Sequence, residues 1–173
     1  NEVWKTFGNM MDMEFGSYTP PFLRFLIFIT NSNEFQVYPF SHKKYLTILT
    51  KRDRLISKME TFLSEYDVWL CPVAITTAYK HIAPTKRWED IFPEYKEDID
   101  VDGRPVDYWT ANTAYTNILN LTGNPVVVMP IGYTELGLPI GVQVVGSRWE
   151  DARLLTVAEQ LNNIGGDFRH PPG

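Results

Sequence analysis

Cysteine occurs once, at Cys71, so no intramolecular disulfide can close and no cysteine-rich zinc site can form. That excludes a small secreted disulfide scaffold and makes a reducing compartment, the cytoplasm, the expected setting. Histidine is nearly as scarce. His42, His81 and His170 stand 39 and 89 residues apart, without ligand spacing, so neither a metal nor any other cofactor is expected. Positive charge is not in excess: 16 Lys and Arg against 21 Asp and Glu leave a net charge of -5, and the electrostatic footprint of a nucleic-acid partner is missing. Long apolar runs are absent too. Phe22 to Ile29 is interrupted by Arg24 and is far too short to cross a bilayer, so no membrane partner is expected. No basic n-region with an apolar h-region follows Asn1, which reads as an internal position of a longer protein or a cloning remnant.

What is present is ordinary globular material. The 173 residues are 44% apolar and 21% charged, enough to bury a core and unlike a disordered chain. Tyr45, Leu46, Ile48, Leu49, Leu55, Ile56, Met59, Phe62, Leu63 and Tyr66 recur at helical steps and predict one long amphipathic helix from about Ser41 to Tyr66. Lys43, Lys44, Lys51, Arg52, Arg54 and Lys58 fill much of its remaining surface, read as a solvated face. Shorter helices are expected over Glu2 to Phe15 and Pro21 to Asn31, with Pro20 and Pro21 between them.

The second part, from residue 67 onward, alternates strands and helices. Asp67 to Cys71, closed by Pro72, reads as one buried strand. From Ala74 to Asp107 no period is strong, as expected of a surface flap, although Asp102 and Gly103 signal a hairpin turn. The acidic run from Glu94 to Asp102 lacks the spacing of a calcium loop and reads as solvated. Tyr108 to Thr134 then runs 27 residues with no charge and no histidine, a length seldom left uncharged unless buried. Within it a helix is expected over Tyr108 to Leu121, capped by Gly123, followed by an apolar strand from Pro125 to Ile131 with both faces covered. Ile140 to Val145 predicts a second central strand, and Glu150 and Asp151 open a last helix with Leu154, Leu155, Ala158 and Leu161 as its buried stripe. Helices, strand, flap, helix, two strands and a helix place the chain in the α/β class.

Several of these blocks resemble one family. Tyr66-Asp-Val-Trp-Leu-Cys-Pro72, Asn120-Leu-Thr-Gly-Asn-Pro-Val-Val-Val-Met-Pro-Ile-Gly132, Gly137-Leu-Pro-Ile-Gly-Val-Gln-Val-Val-Gly146 and Asp151-Ala-Arg-Leu-Leu155 stand in the order found in the C-terminal part of the amidase signature family. The resemblance covers roughly Lys51 to Pro172 and implies a piece of that family's mixed-sheet, helix-flanked fold. It also implies hydrolysis of carboxylic amides, or transfer of their ammonia, through a serine nucleophile, a second serine, a lysine and a glycine- and serine-rich oxyanion loop. The chemistry is coherent, because an unactivated hydroxyl needs a nearby base and an oxyanion needs preorganised donors. This sequence has no Gly-Gly-Ser-Ser-Gly-like run and no nucleophile elbow at Gly146-Ser147-Arg148. The chain is therefore expected to be inert alone and to meet a small-molecule amide only together with an N-terminal part.

By position, the resemblance makes Thr113, Thr116, Asn117 and Asn120 candidate residues of the acyl-pocket wall. Neutral hydrogen-bonding groups in a buried helix must find partners, and a bound amide is one; backbone groups and one another are the plainer alternative. Cys71, in a buried strand, is expected to be a packed and inert thiol. Two rivals stand beside the amidase. One is an amidotransferase component that works on glutamine or aminoacyl-tRNA, which needs an arginine for the substrate α-carboxylate, with Arg52, Arg54 and Arg87 available. The other is a non-catalytic scaffold of the same fold. Strands cut from a larger sheet leave open edges, so self-association through those edges is expected.

Overall fold

The computed structural model describes residues 2–18, 41–85 and 95–165 and divides the chain into two compact units, Asn1–Thr61 and Phe62–Gly173. The helix expected over Pro21 to Asn31 lies outside the described residues.

In the first unit, helix α1 spans Glu2–Tyr18 and most of helix α2, His42–Leu63, follows. Ser41 starts α2 as a cap should: its hydroxyl accepts from the Lys44 N–H at 3.2 Å and its carbonyl from the Tyr45 N–H at 3.0 Å. Thr6, Met13, Ile48 and Leu55 are buried. Burial pushes the Asp12 carboxyl above its ordinary pKa, and the charge of Lys44 pulls it back only in part. The apolar set expected on α2 divides, because Tyr45 and Leu46 project to the surface while Ile48 and Leu55 do not. No described helix is long and apolar enough to cross a membrane.

The second unit is built on a three-stranded antiparallel sheet in the order β1-β5-β4, with β1 Trp69–Pro72, β4 Val126–Tyr133 and β5 Pro139–Val145. Gly137 makes the β4–β5 hairpin feasible. It sits at φ 77°, where a side chain is strained, and the turn is closed by Thr134 N–H to the Leu138 carbonyl at 2.8 Å. Register puts Val128, Gln143 and Cys71 in one row across the sheet and Val127, Val144 and Leu70 in the next. Because side chains alternate, these two rows face opposite sides.

One side packs on helix α5, Asp151–Gly165. Met129, Val144 and Leu154 form its buried core, with Val68, Val127, Val142 and Leu161 around them. Leu154 lies so close over Gly146 that a methyl group there would sit 3.2 Å from the Leu154 Cβ. The buried stripe of α5 is narrower than its sequence suggests: Leu155 is 61% exposed, since one helical step turns it 100° away from Leu154. Arg153 reaches from α5 to an ion pair with Asp67, two residues before β1.

Three further expectations are corrected. Among the described residues the strand at 69–72 is an edge, not a buried element: only Cys71 is sequestered, and Leu70 is half exposed. Strand β4 is likewise not covered on both faces, with Val128 and Ile131 exposed and a bulge between Pro130 and Gly132. The uninterrupted helix over 108–121 is two short ones, α3 Tyr108–Thr113 and α4 Thr116–Thr122. Its own side chains explain the break. Asn112 and Thr113 donate to the carbonyls of Tyr108 and Trp109, and Thr116 donates to that of Thr113, the local competition that weakens a continuous ladder. Gly123 ends α4 at φ 70°, its N–H bonded to the Leu119 carbonyl at 2.8 Å. The Asp102-Gly103 turn joins β2 Ile99–Val101 to β3 Arg104–Val106, as its dipeptide signals. All described strand pairs are antiparallel, so the mixed pairing expected of the family's sheet is not among the described residues.

Candidate functional site

The uncharged segment from Tyr108 leads into the sheet through α3 and α4. Asp107 caps α3, its carboxylate accepting from the Thr110 N–H at 2.9 Å. Burial opposes that carboxylate's charge, but the hydrogen bonds from Thr110 prevail and hold its pKa below the usual value.

Three of the four candidate wall residues come together. Asn117 is buried, 3% exposed, and its Nδ2 donates to the Thr113 hydroxyl at 3.2 Å. Thr113 Oγ1 donates in turn to the Trp109 carbonyl at 2.7 Å, and Thr116 Oγ1 reaches the Thr113 carbonyl at 3.4 Å. These groups thus bond to backbone and to one another. Asn120, one turn further, is exposed.

An aromatic cluster stands at the start of α3. Tyr95 stacks on Tyr108 with centroids 3.7 Å apart, and Tyr79 meets Tyr108 edge-on at 6.5 Å. The Tyr79 hydroxyl also bonds to the Asn112 amide at 2.8 to 3.0 Å. Both stems of the 74–107 excursion are therefore anchored on one ring. Desolvation, with the neighbouring Tyr95 and Tyr79 phenols, pushes the Tyr108 phenol from 10.0 up to about 12. A folded-state pKa above the unfolded one means that stability is present below pH 10 and is lost as pH rises toward 12. The urea midpoint should fall over that window, and Tyr108→Phe should flatten the fall. An equal slope in both proteins would show that Tyr108 does not titrate late.

On the far side of β1, Gln143 organises the strand exit. It is 4% exposed, and its Nε2 donates to the Pro72 carbonyl at 2.8 Å and lies 3.7 Å from Cys71 Sγ. Burial pushes the Cys71 thiol pKa up, with the Gln143 contact lowering it in part, so the thiolate needed for nucleophilic chemistry is disfavoured. Beyond Pro72 the chain bends over a groove of about 790 Å³ between residues 72–78 and the strands, floored by Val128, Pro130 and Gly141. Its lining is mainly apolar, with Thr76, Thr77 and Asp102 as polar members. None of the four candidate wall residues lines it. The sequence signal for this groove is faint: Gly141 leaves room for Val73, whose Cγ2 would be 3.2 Å from an added methyl. Among the described residues no group of three or more His, Cys, Asp or Glu could hold a metal ion.

Comparison with known proteins gives this architecture a context. The family model described as Amidase matches residues 5–155. The A subunit of glutamyl-tRNA(Gln) amidotransferase from Psychrobacter sp. (strain PRwf-1) is 35% identical over 115 residues, covering 66% of this chain and 19% of that protein. The protein of the same name from Neisseria meningitidis serogroup C is 30% identical over 128 residues, covering 72% and 23%. A crystal structure of an amidase superposes with a TM-score of 0.61 at 19% identity, covering 95% of this chain and 36% of the other, a likeness of fold. The chain thus spans about a fifth of the length of the curated relatives it matches. With the family match running through α2, the β1-β5-β4 sheet and the start of α5, the chain belongs to the amidase family.

Proposed function

We propose that this chain is the C-terminal portion of a serine-dependent amidase and hydrolyses carboxylic amides to acid and ammonia together with the rest of a longer protein. The observation that carries the reading is a family match from residue 5 to 155 in a sequence holding no glycine- and serine-rich loop. In that reaction a seryl hydroxyl adds to the amide carbon, the C–N bond breaks as ammonia leaves with a proton, and water then splits the acyl ester. The nucleophile, its bridging serine and its lysine base come from the remainder of the protein. This part contributes the sheet and a neutral wall of Thr113, Thr116, Asn117 and Asn120 beside the acyl group. A neutral wall orients an uncharged amide without holding back the acid product. The open edges of β1 and β4 take up further strands or a second copy, and the setting is cytoplasmic.

A second reading is supported by the names of the relatives. As a piece of an amidotransferase of that kind, the chain would serve ammonia transfer from an amide donor to an aminoacyl-tRNA. Of the three arginines named for a donor's α-carboxylate, Arg52 and Arg54 lie among the described residues.

Ammonia release from short acyl amides tests the main reading. This chain alone should release none, whereas a longer protein containing it should turn over and be stopped by a serine-directed phosphonate. In that protein Asn117→Ala should raise KM about fivefold, the equivalent of one hydrogen bond of about 1 kcal/mol. Phosphonate-sensitive turnover by this chain alone would place the nucleophile within it and overturn the proposal.

A further inference from the structure

Charge in this protein is segregated. Helix α2 carries six Lys and Arg against Asp53 and Glu60, a net charge of +4 in a chain whose total is -5. At 100° per residue, Lys44, Lys51 and Lys58 fall nearly in line, with Lys43 and Arg54 beside them, on a stripe about 100° wide and about 21 Å long. Asp53 and Glu60 project from roughly the opposite side, and Asp53 is engaged by Arg52 at 3.4 Å. Lys43, Lys51, Arg54 and Lys58 are all exposed. At its start the stripe meets Asp12, whose carboxyl feels the charge of Lys44, but from Lys51 onward like charges stand three and four residues apart, Lys51 to Arg54 and Arg54 to Lys58, an arrangement that weakens a helix unless an anion offsets it.

The complementary surface is in the same chain. Glu97, Asp98, Asp100 and Asp102 lead into and around the β2–β3 hairpin, all exposed, with no cation between the first and the last. The two-residue period of an extended segment places Asp98 and Asp100 on one side about 7 Å apart, and Asp102 follows in the turn at φ 53°. The flanking Lys96 and Arg104 leave this tip anionic.

We propose that the basic stripe of α2 in one copy docks the acidic 97–102 hairpin of a second copy, making a heterologous, charge-driven self-association. The interface is distinct from the open edges of β1 and β4, which associate through backbone hydrogen bonds and apolar side chains. Salt separates the two. Screening shortens the electrostatic reach from about 30 Å at 0.01 M to about 3 Å at 1 M, while an apolar edge contact is not weakened by salt.

Sedimentation of the intact chain at low and at high salt tests this. At about 0.01 M salt the weight-average mass should be at least about double its value at about 1 M, where only an edge contact persists. Lys51→Glu/Lys58→Glu should keep the high-salt mass at both, as should Glu97→Lys/Asp98→Lys. Mixing the two variants at low salt should restore the doubled mass, because each supplies the surface the other has lost. Asp100 is left intact in these variants because its Oδ1 accepts from the Gly103 N–H at 2.9 Å and shapes the turn. Circular dichroism should match the parent, and Lys51→Gln/Lys58→Gln should weaken association if the glutamate pair disturbs α2. A mass that ignores salt, or variants that fail to complement each other, would each overturn the proposal.

Discussion

Leu154→Ala should destabilise the protein by about 3 kcal/mol, within the range for deleting a buried leucine, and lower its urea midpoint by about 1.5 M for a slope near 2 kcal/mol/M. The site can hardly collapse around the loss. Leu154 is 3% exposed and packs on Met129 and Val144 of the sheet, whose partner strand β5 is hydrogen-bonded on both sides. Beneath it lies Gly146, which has no side chain to move into the space. Leu155 supplies an internal control one residue away. It has the same chemistry and the same helix but is 61% exposed, so Leu155→Ala should stay within about 0.5 kcal/mol. Equal losses for the two would mean that α5 presents another face to the sheet.

That pair of leucines also shows where the sequence is legible. Periodicity locates α5 and its start at Asp151, because a helix of this length repeats its apolar spacing several times. It does not resolve two adjacent leucines of equal hydrophobicity, since the width of a buried stripe is set by the neighbour. Turns are the most readable features, because few residues tolerate their backbone: Asp102-Gly103, Gly123 and Gly137 all take positive φ where the sequence places turns or caps. The strands are readable as strands but not as edges. A run such as Val126 to Ile131 looks the same whether or not something covers its second face, and coverage is decided by distant chain. The break between α3 and α4 is hidden for another reason, as Asn112, Thr113 and Thr116 show a helical period yet spend their side chains on the backbone. For the candidate residues, composition indicates a neutral and largely buried helical segment, and the role of a pocket wall comes from the family resemblance alone. The Thr113–Asn117 hydrogen bond is specific to three dimensions, and so is the groove under residues 72–78.

Gln143→Glu should be the most damaging single change of similar shape, costing about 3 kcal/mol or more at neutral pH. The substitution keeps the size of the side chain and replaces the Nε2 donor with a carboxylate oxygen. That oxygen would face the Pro72 carbonyl, now 2.8 Å from the amide, and the Cys71 sulfur, in a place only 4% exposed. A buried charge against a carbonyl, with only the weakly donating Cys71 thiol beside it, is poorly compensated, so the carboxyl is driven to its protonated form, with a pKa above the ordinary glutamate value of about 4.3. The sign of the pH effect follows. The folded state holds the proton more tightly than the unfolded one, so the variant is most nearly rescued below about pH 4, where a neutral carboxyl donates to Pro72 as the amide did, and loses ground as pH rises. Gln143→Leu provides the contrast: with no charge to bury it should lose about 1 kcal/mol from the unmet carbonyl, with no such pH dependence. Urea midpoints of the three proteins from about pH 4 to 8, each relative to the parent, measure both effects, and a glutamate variant whose deficit stays constant with pH would show that water reaches this side of the sheet. Because Pro72 is where the chain leaves β1 for the groove-lining residues 73–78, the same substitution should also raise the rate of proteolytic cleavage in that stretch.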